Sequence, residues 1–113
     1  FSSPMTSAVI TNIETIITYT RRFLPACEFL LVSTMLPNPD GKGNLANHRD
    51  CKQALENLVN EYEGVALADM TSMSDWLLER KEFQDMGDNL VHPTDFLSRI
   101  YAQVILNSLL VSD

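Results

Sequence analysis

One histidine stands directly before a proline at the start of an amphipathic stretch, in a position that suits acid–base chemistry. His92 follows a polar loop that contains Gly87, and Pro93 begins the predicted helix. Proline is favoured in the first turn of a helix because its φ is already helical and its missing N–H would be unpaired there. A histidine held at such a point can take and return a proton near neutral pH. The same residues also fit a plain helix cap or a surface histidine, so both interpretations stay open.

The sequence requires neither a metal ion nor a disulfide. Cys27 precedes an apolar, strand-like run, and Cys51 lies on the apolar face of a predicted helix, so both are interpreted as small buried hydrophobic residues. His48 and His92 are far apart in the chain, and no Cys-x-x-Cys or His-x-x-x-His spacing occurs. We therefore expect no metal site and no cofactor.

The composition is that of one soluble globular domain. The chain has 113 residues, of which 45% are hydrophobic and 20% charged, and a formal net charge of −7. Nucleic acids and anionic membranes require clustered lysine and arginine, and the basic pairs Arg21-Arg22 and Arg80-Lys81 are isolated. The apolar stretches are far shorter than the roughly 18 to 20 residues that cross a bilayer. We expect no nucleic-acid or membrane partner, and the localisation stays open between the cytoplasm and secretion.

Helical and strand-like apolar patterns alternate along the chain. Apolar residues at helical spacing predict a helix over residues 5–24, which Pro25 ends. Short continuous apolar runs over residues 28–33 and 65–70 are typical of strands buried on both faces of a parallel sheet. On the first helix the residues expected to face the core are Val9, Ile10, Ile13, Ile16, Ile17, Thr20, Phe23 and Leu24.

A loop and three further helices complete the predicted order α-β-loop-α-β-α-loop-α. Prolines and glycines predict a loop over residues 34–47, and the amphipathic helix after it ends at Glu63-Gly64. A short helix that reaches Arg80 is expected to turn Trp76 and Leu77 inward. The packing side of the last helix is expected to consist of Phe96, Leu97, Ile100, Tyr101, Val104, Ile105 and Leu109.

Strands that alternate with helices imply right-handed crossovers and a parallel sheet flanked by helices. Such sheets bind ligands at the carboxyl ends of their strands, where Ser33, Asp69 and the His92 loop would meet. Two strands are too few for four amphipathic helices, and the first strand would keep an open edge with unpaired backbone groups. We therefore expect either a preceding half of the same domain or a partner chain.

Three segments together resemble the C-terminal half of an SGNH (GDSL-type) hydrolase. They read LVSTMLPNP at residues 31–39, GVALADMT at 64–71 and HPTDFLSRIYAQ at 92–103, and the resemblance covers essentially all 113 residues in order. It implies that residues 1–113 form half of a flavodoxin-like, three-layer α/β/α domain. It also implies hydrolysis of carboxylic esters, including acetyl groups on sugars, through a serine nucleophile.

The resemblance assigns catalytic roles to the loop before the last helix. His92 matches the family's catalytic histidine, which takes the serine proton and returns it to the leaving alcohol. The family usually has an aspartate three residues earlier to orient this histidine, but Asn89 stands there and the acid is Asp88. Asp88, Asp69 or a backbone carbonyl that acts in a dyad are the alternatives for this role.

The family's nucleophile and oxyanion blocks, Gly-Asp-Ser and Gly-x-Asn-Asp, do not occur in these residues; in the family they come earlier. We therefore expect the isolated chain to be inactive, with an ester substrate and the N-terminal half of the domain or another chain as partners. Substrate contacts are expected at Met35, Leu36, Asp69 and Leu90. The alternative function is a non-catalytic interaction module or a homo-oligomerising half-domain.

Overall fold

The computed structural model describes residues 4–37, 45–83, 86–87 and 93–110. Its helices and strands are α1 (Pro4–Phe23), β1 (Phe29–Ser33), α2 (Leu45–Glu61), β2 (Val65–Asp69), α3 (Met70–Leu78) and α4 (Asp95–Leu110). The predicted element order is confirmed for these residues. No helix within the described ranges is long and apolar enough to cross a membrane.

β1 and β2 form a parallel pair, as the two continuous apolar runs predict. Phe29 lies opposite Val65, and Ser33 lies opposite Asp69, so the two strands begin and end at the same level. Parallel neighbours need a crossover connection, which here contains α2. In the described part of the chain the sheet consists of β1 and β2 alone, so β1 is paired along one side only.

Helices lie on both faces of the sheet, which confirms a parallel sheet flanked by helices. The expected burial of the strands on both faces is incomplete, because Val32 of β1 is 40% exposed. Side chains alternate between the two faces of a strand. On one face Phe29 and Leu31 pack with α1 and α2 around Ile17, Leu58 and Val65. The second cluster joins α3 and α4 to the segments that follow the strands, and its buried members are Met35, Met70, Leu77, Phe83, Met86 and Leu97.

Several predicted core positions are exposed instead. On α1, Ile17 is 1% exposed, but Ile16 is 58% and Phe23 67% exposed. Trp76 was expected to face inward, and its side chain is 52% exposed, so that prediction is wrong. Apolar periodicity shows that a helix has an apolar side, but it does not show how much of that side the rest of the chain covers. The other exposed members of the predicted faces are Val9, Leu24, Phe96 and Leu109.

The C-terminal end of α1 is fastened to the start of both strands by one arginine. Arg21 Nη2 donates to the carbonyl of Cys27, before β1, over 3.1 Å and to the carbonyl of Glu63, before β2, over 2.6 Å. Arg21 therefore sets the position of α1 relative to the sheet.

Gly64 adopts a φ of +72° in the turn between α2 and β2, where glycine alone has no steric cost.

Candidate functional site

The carboxyl ends of β1 and β2 share a hydrogen-bond network. Ser33 Oγ donates to Asp69 Oδ1 over 3.2 Å, and the Thr71 N–H donates to Ser33 Oγ over 3.2 Å. Asp69 is also the N-cap of α3, because Oδ1 accepts a 2.9 Å hydrogen bond from the Ser72 N–H. Aspartate is among the preferred residues at this position. The network therefore joins the last residue of each strand to the first turn of α3.

Asp69 lies beside a lysine of α2. Lys52 Nζ is 3.5 Å from Asp69 Oδ2 and 2.6 Å from a carboxylate oxygen of Glu56. Partial burial by itself raises the pKa of Asp69, but hydrogen bonds from Ser72 and Ser33 and the charge of Lys52 together hold that pKa below its ordinary value. Asp69 is therefore a carboxylate at neutral pH, and both its oxygens already have partners.

The residues that follow β1 enter the core. Met35 is 5% exposed and Leu36 is 1% exposed. The Met35 N–H donates to Tyr101 Oη over 2.7 Å, and the Leu36 N–H donates to Ser74 Oγ over 2.9 Å. Burial raises the pKa of Tyr101, against the opposing effect of the hydrogen bond from Met35, so its hydroxyl is neutral. Met35 and Leu36 thus pack in the core, and their contact with a substrate stays a prediction.

The residues on either side of segment 88–92 are paired with one another. Gly87 and Pro93 form an antiparallel bridge, and the Thr94 N–H donates to the Met86 carbonyl over 2.6 Å. The Gly87 N–H in turn donates to the carbonyl of Phe83 over 2.9 Å. The two ends of the segment that contains His92 are therefore held together.

Core packing brings these paired ends to the carboxyl edge of the sheet. Met86 is 1% exposed and Leu97, in the first turns of α4, is 0% exposed. Both belong to the same buried cluster as Met35, which follows β1, and Met70, which follows β2. The predicted site residues His92, Asp88, Asn89 and Leu90 lie outside the described residues.

A small pocket opens at the same edge, between the first turns of α1 and α2. Its volume is 130 Å³, and Met5 and Val9 of α1, Thr34 after β1, and His48 and Cys51 of α2 line it. Burial, with a smaller effect of the neighbouring Asp50 charge, raises the pKa of the Cys51 thiol. A thiol with a raised pKa is protonated at neutral pH and is a poor nucleophile.

Sequence reasoning missed the roles of Tyr101, Ser74 and Lys52. The hydroxyls of Tyr101 and Ser74 accept hydrogen bonds from the backbone N–H groups of the residues that follow β1. A tyrosine on the apolar side of a helix was an available signal, because a buried phenol hydroxyl normally has a hydrogen-bond partner. No comparable signal links Lys52 to Asp69, since that contact depends on how α2 crosses the sheet.

Among the described residues, no group of three or more histidine, cysteine, aspartate or glutamate side chains is arranged to hold a metal ion. Comparisons of the chain with protein-family models, with curated proteins and with solved structures find no match.

Proposed function

We propose that residues 1–113 form the histidine-bearing half of an SGNH-type carboxylic ester hydrolase with a flavodoxin-like α/β/α fold. One observation supports the proposal most strongly. The Gly87–Pro93 bridge joins both ends of the His92 segment, and Met86 and Leu97 on either side of it pack beside the carboxyl ends of both strands. Ligands of parallel α/β sheets bind at that edge.

The proposed chemistry is acyl transfer through a serine. The His92 imidazole takes the proton of the serine hydroxyl as its oxygen attacks the ester carbonyl carbon. The proton then passes to the alcohol oxygen as the ester C–O bond breaks, which leaves an acyl-serine. His92 next takes a proton from water as the water oxygen attacks the acyl carbonyl carbon. The bond between that carbon and the serine oxygen then breaks, His92 returns the proton to the serine oxygen, and the carboxylic acid is released. The serine and the oxyanion donors come from outside these residues, and no cofactor is needed.

Asp69 is a weaker candidate than Asp88 for the residue that orients His92. Its Oδ1 accepts from Ser33 and Ser72, and its Oδ2 faces Lys52. Because both carboxylate oxygens of Asp69 have these partners, the carboxylate holds the strand ends and α3 together. We therefore assign the orienting role to Asp88 or to a backbone carbonyl.

The test uses the native polypeptide or assembly that carries these residues, with p-nitrophenyl acetate as the ester. We expect His92→Ala to lower kcat by about 100- to 10,000-fold, the usual contribution of a general acid or base. The control is Arg22→Ala, an exposed residue at the C-terminal end of α1 and away from the carboxyl edge of the sheet, which should retain activity. Unchanged hydrolysis in His92→Ala, or no ester hydrolysis by the native protein, would overturn the proposal. The isolated 113-residue chain should be inactive, and hydrolysis by it that His92→Ala abolishes would contradict that expectation.

A non-catalytic interaction module, or a half-domain that self-associates, is the second candidate function. It is favoured by the open edge of β1 within the described sheet and by the exposed apolar side chains of α1. A native complex that contains this chain and has no esterase activity would support this candidate over the first.

A further inference from the structure

Within the described residues, the edge of β1 away from β2 presents backbone groups without a strand partner. The Phe29 N–H donates to the Gly64 carbonyl over 2.8 Å, on the β2 side. Successive residues of a strand direct their N–H and C=O groups to alternate sides, so those of Leu30 and Val32 face the opposite edge. No strand in the described ranges pairs with that edge. β1 therefore offers donors and acceptors at the spacing that an incoming strand needs.

Helix α1 packs on one face of the sheet, beside β1, and runs antiparallel to that strand. Near its C-terminal end the Arg21 guanidinium lies over the ring of Phe29, the first residue of β1, at 5.4 Å from the centroid. Near its N-terminal end Met5 and Val9 line the same pocket as Thr34, the residue after β1. α2 lies against both strands, and α1 packs mainly against α2. α1 is thus on the β1 side of α2.

α1 carries a second apolar stripe that the described structure leaves largely exposed. Its core stripe, which includes Ile10, Ile13 and Ile17, packs against α2 and the sheet. The second stripe lies about 100° further around the helix, since successive residues are related by that rotation. Its members are Met5, Val9, Ile16, Tyr19 and Phe23, which are 66%, 37%, 58%, 59% and 67% exposed. On the other face of the sheet Val32 is also 40% exposed.

The handedness of crossovers determines the direction of an added strand. β1, α2 and β2 form one β-α-β unit, and such units are right-handed in nearly all proteins. α1 lies on the same face as α2 and on the β1 side of that helix. A strand that enters α1 through the same right-handed connection therefore lies against the open edge of β1, parallel to it. Its carboxyl end then meets the first turn of α1.

We infer that the open edge of β1 and the second stripe of α1 form a docking site for one apolar β-strand that runs parallel to β1. The strand is apolar on both faces, because one face meets the second stripe and the other lies beside Val32. Its carboxyl end leads to the first turn of α1. This inference does not depend on the esterase activity, and its readouts contain no activity measurement.

The test supplies the strand in the same chain. A copy of residues 64–70, which already pair with β1 on its other side, is fused ahead of Phe1 through a short Gly-Ser linker. An antiparallel strand would need a linker longer by about 17 Å, since a strand rises about 3.3 Å per residue. We expect amide hydrogen exchange at Leu30 and Val32 to slow by about tenfold or more, because both amides gain strand partners. The Phe29 amide, bonded to β2 in both proteins, is the internal reference.

Three variants of the fused chain separate docking from nonspecific effects. Val32→Pro removes an N–H from the open edge and leaves the β2 side intact, as edge strands tolerate. Ile16→Lys places a charge in the second stripe of α1. Because it does not alter a strand, it tests docking even if Val32→Pro does not fold. Both should abolish the slowed exchange, whereas Thr11→Lys, on an exposed side of α1 away from both stripes, should preserve it. Unchanged exchange at Leu30 and Val32 in the fusion, or a gain that survives Ile16→Lys, would overturn the inference. If exchange slows only when the linker is long enough to span β1, the added strand runs antiparallel to β1, and the proposed parallel direction would be overturned.

Discussion

At the scale of single residues, the strand ends depend on side chains that satisfy backbone groups. Ser33, Asp69 and Ser74 each hydrogen-bond to backbone N–H groups that the ends of β1 and β2 would otherwise leave unpaired. A buried backbone group without a partner costs about 1 to 3 kcal/mol. These hydroxyl and carboxylate groups therefore fix the edge of the sheet at which the proposed catalytic segment is anchored.

Asp69 should make stability depend on acid pH. Its folded-state pKa lies below the ordinary value, so its stabilising effect is present above the unfolded pKa and is lost as pH falls through the folded pKa. At neutral pH we expect Asp69→Ala to cost about 1 kcal/mol, as for loss of an N-cap. Urea unfolding near neutral pH and at about pH 2 measures the change, which should shrink in acid.

Two further variants test the origin of that acid dependence. Asp69→Asn keeps an N-cap acceptor without a titratable group, so it should recover much of the stability and lose the acid dependence. Asp75→Ala removes an exposed carboxylate that pairs with Arg49 at 3.0 Å, and it should have a small effect. An Asp69→Ala cost that is equal at both pH values would show that the Asp69 charge is unimportant.

Tyr101 should stabilise the chain after β1 through its hydroxyl, in addition to the packing of its ring against the core. Tyr101→Phe removes the acceptor of the Met35 N–H and retains the ring, so we expect a loss of about 1 to 2 kcal/mol in the free energy of unfolding. Chemical denaturation measures this loss. Tyr19→Phe is the matched control, because Tyr19 is 59% exposed and should tolerate the change. Equal effects of the two substitutions would contradict the proposed role of the hydroxyl.

Apolar periodicity was sufficient to predict the helices and strands, but it was not sufficient to predict the side-chain contacts between them. The helix expected over residues 5–24 is observed as Pro4–Phe23, and the strand expected over 28–33 as Phe29–Ser33. Proline, glycine and continuous apolar runs are local signals that act within a few residues. The contacts Lys52–Asp69 and Met35–Tyr101 join distant parts of the chain, so they follow from the packing angles of helices on the sheet.

At the scale of elements, α4 anchors the segment that precedes it. Leu97 is fully buried among Met35, Met70 and Met86, so its side chain ties the start of α4 to both strand ends. Leu97→Ala should cost about 2 to 5 kcal/mol, as for other buried leucines. Phe96→Ala, one residue earlier and 38% exposed, is the control and should cost much less. Denaturant midpoints give both values, and a Leu97→Ala cost no greater than that of Phe96→Ala would refute this role for α4.

Some helix residues that were predicted to be buried are exposed, and the reason concerns the packing of whole helices. α1 was expected to bury one wide apolar side, but the structure buries only its core stripe and leaves Val9, Ile16 and Phe23 of that side in the exposed second stripe. A helix that packs against layers on two sides has apolar residues over a wider arc than one that packs on a single side. The apolar pattern of α1 therefore indicates two packing surfaces, the core stripe and the second stripe, although the described residues pack against only the core stripe.

At the scale of the whole molecule, an open strand edge beside an apolar helix face should make the isolated chain self-associate at high concentration. The second stripe of α1 presents the largest exposed side chains on that side, and Ile16 lies near its middle. Ile16→Lys should weaken self-association by about tenfold or more in apparent Kd, because a charge cannot be buried there without a large penalty. Sedimentation velocity over a range of protein concentrations measures the change. Thr11→Lys alters the net charge of −7 by the same amount on another side of α1 and should leave association unchanged. Equal weakening by both substitutions would assign the effect to net charge, and a chain that stays monomeric at every concentration would show that the exposed stripe does not bind a second copy.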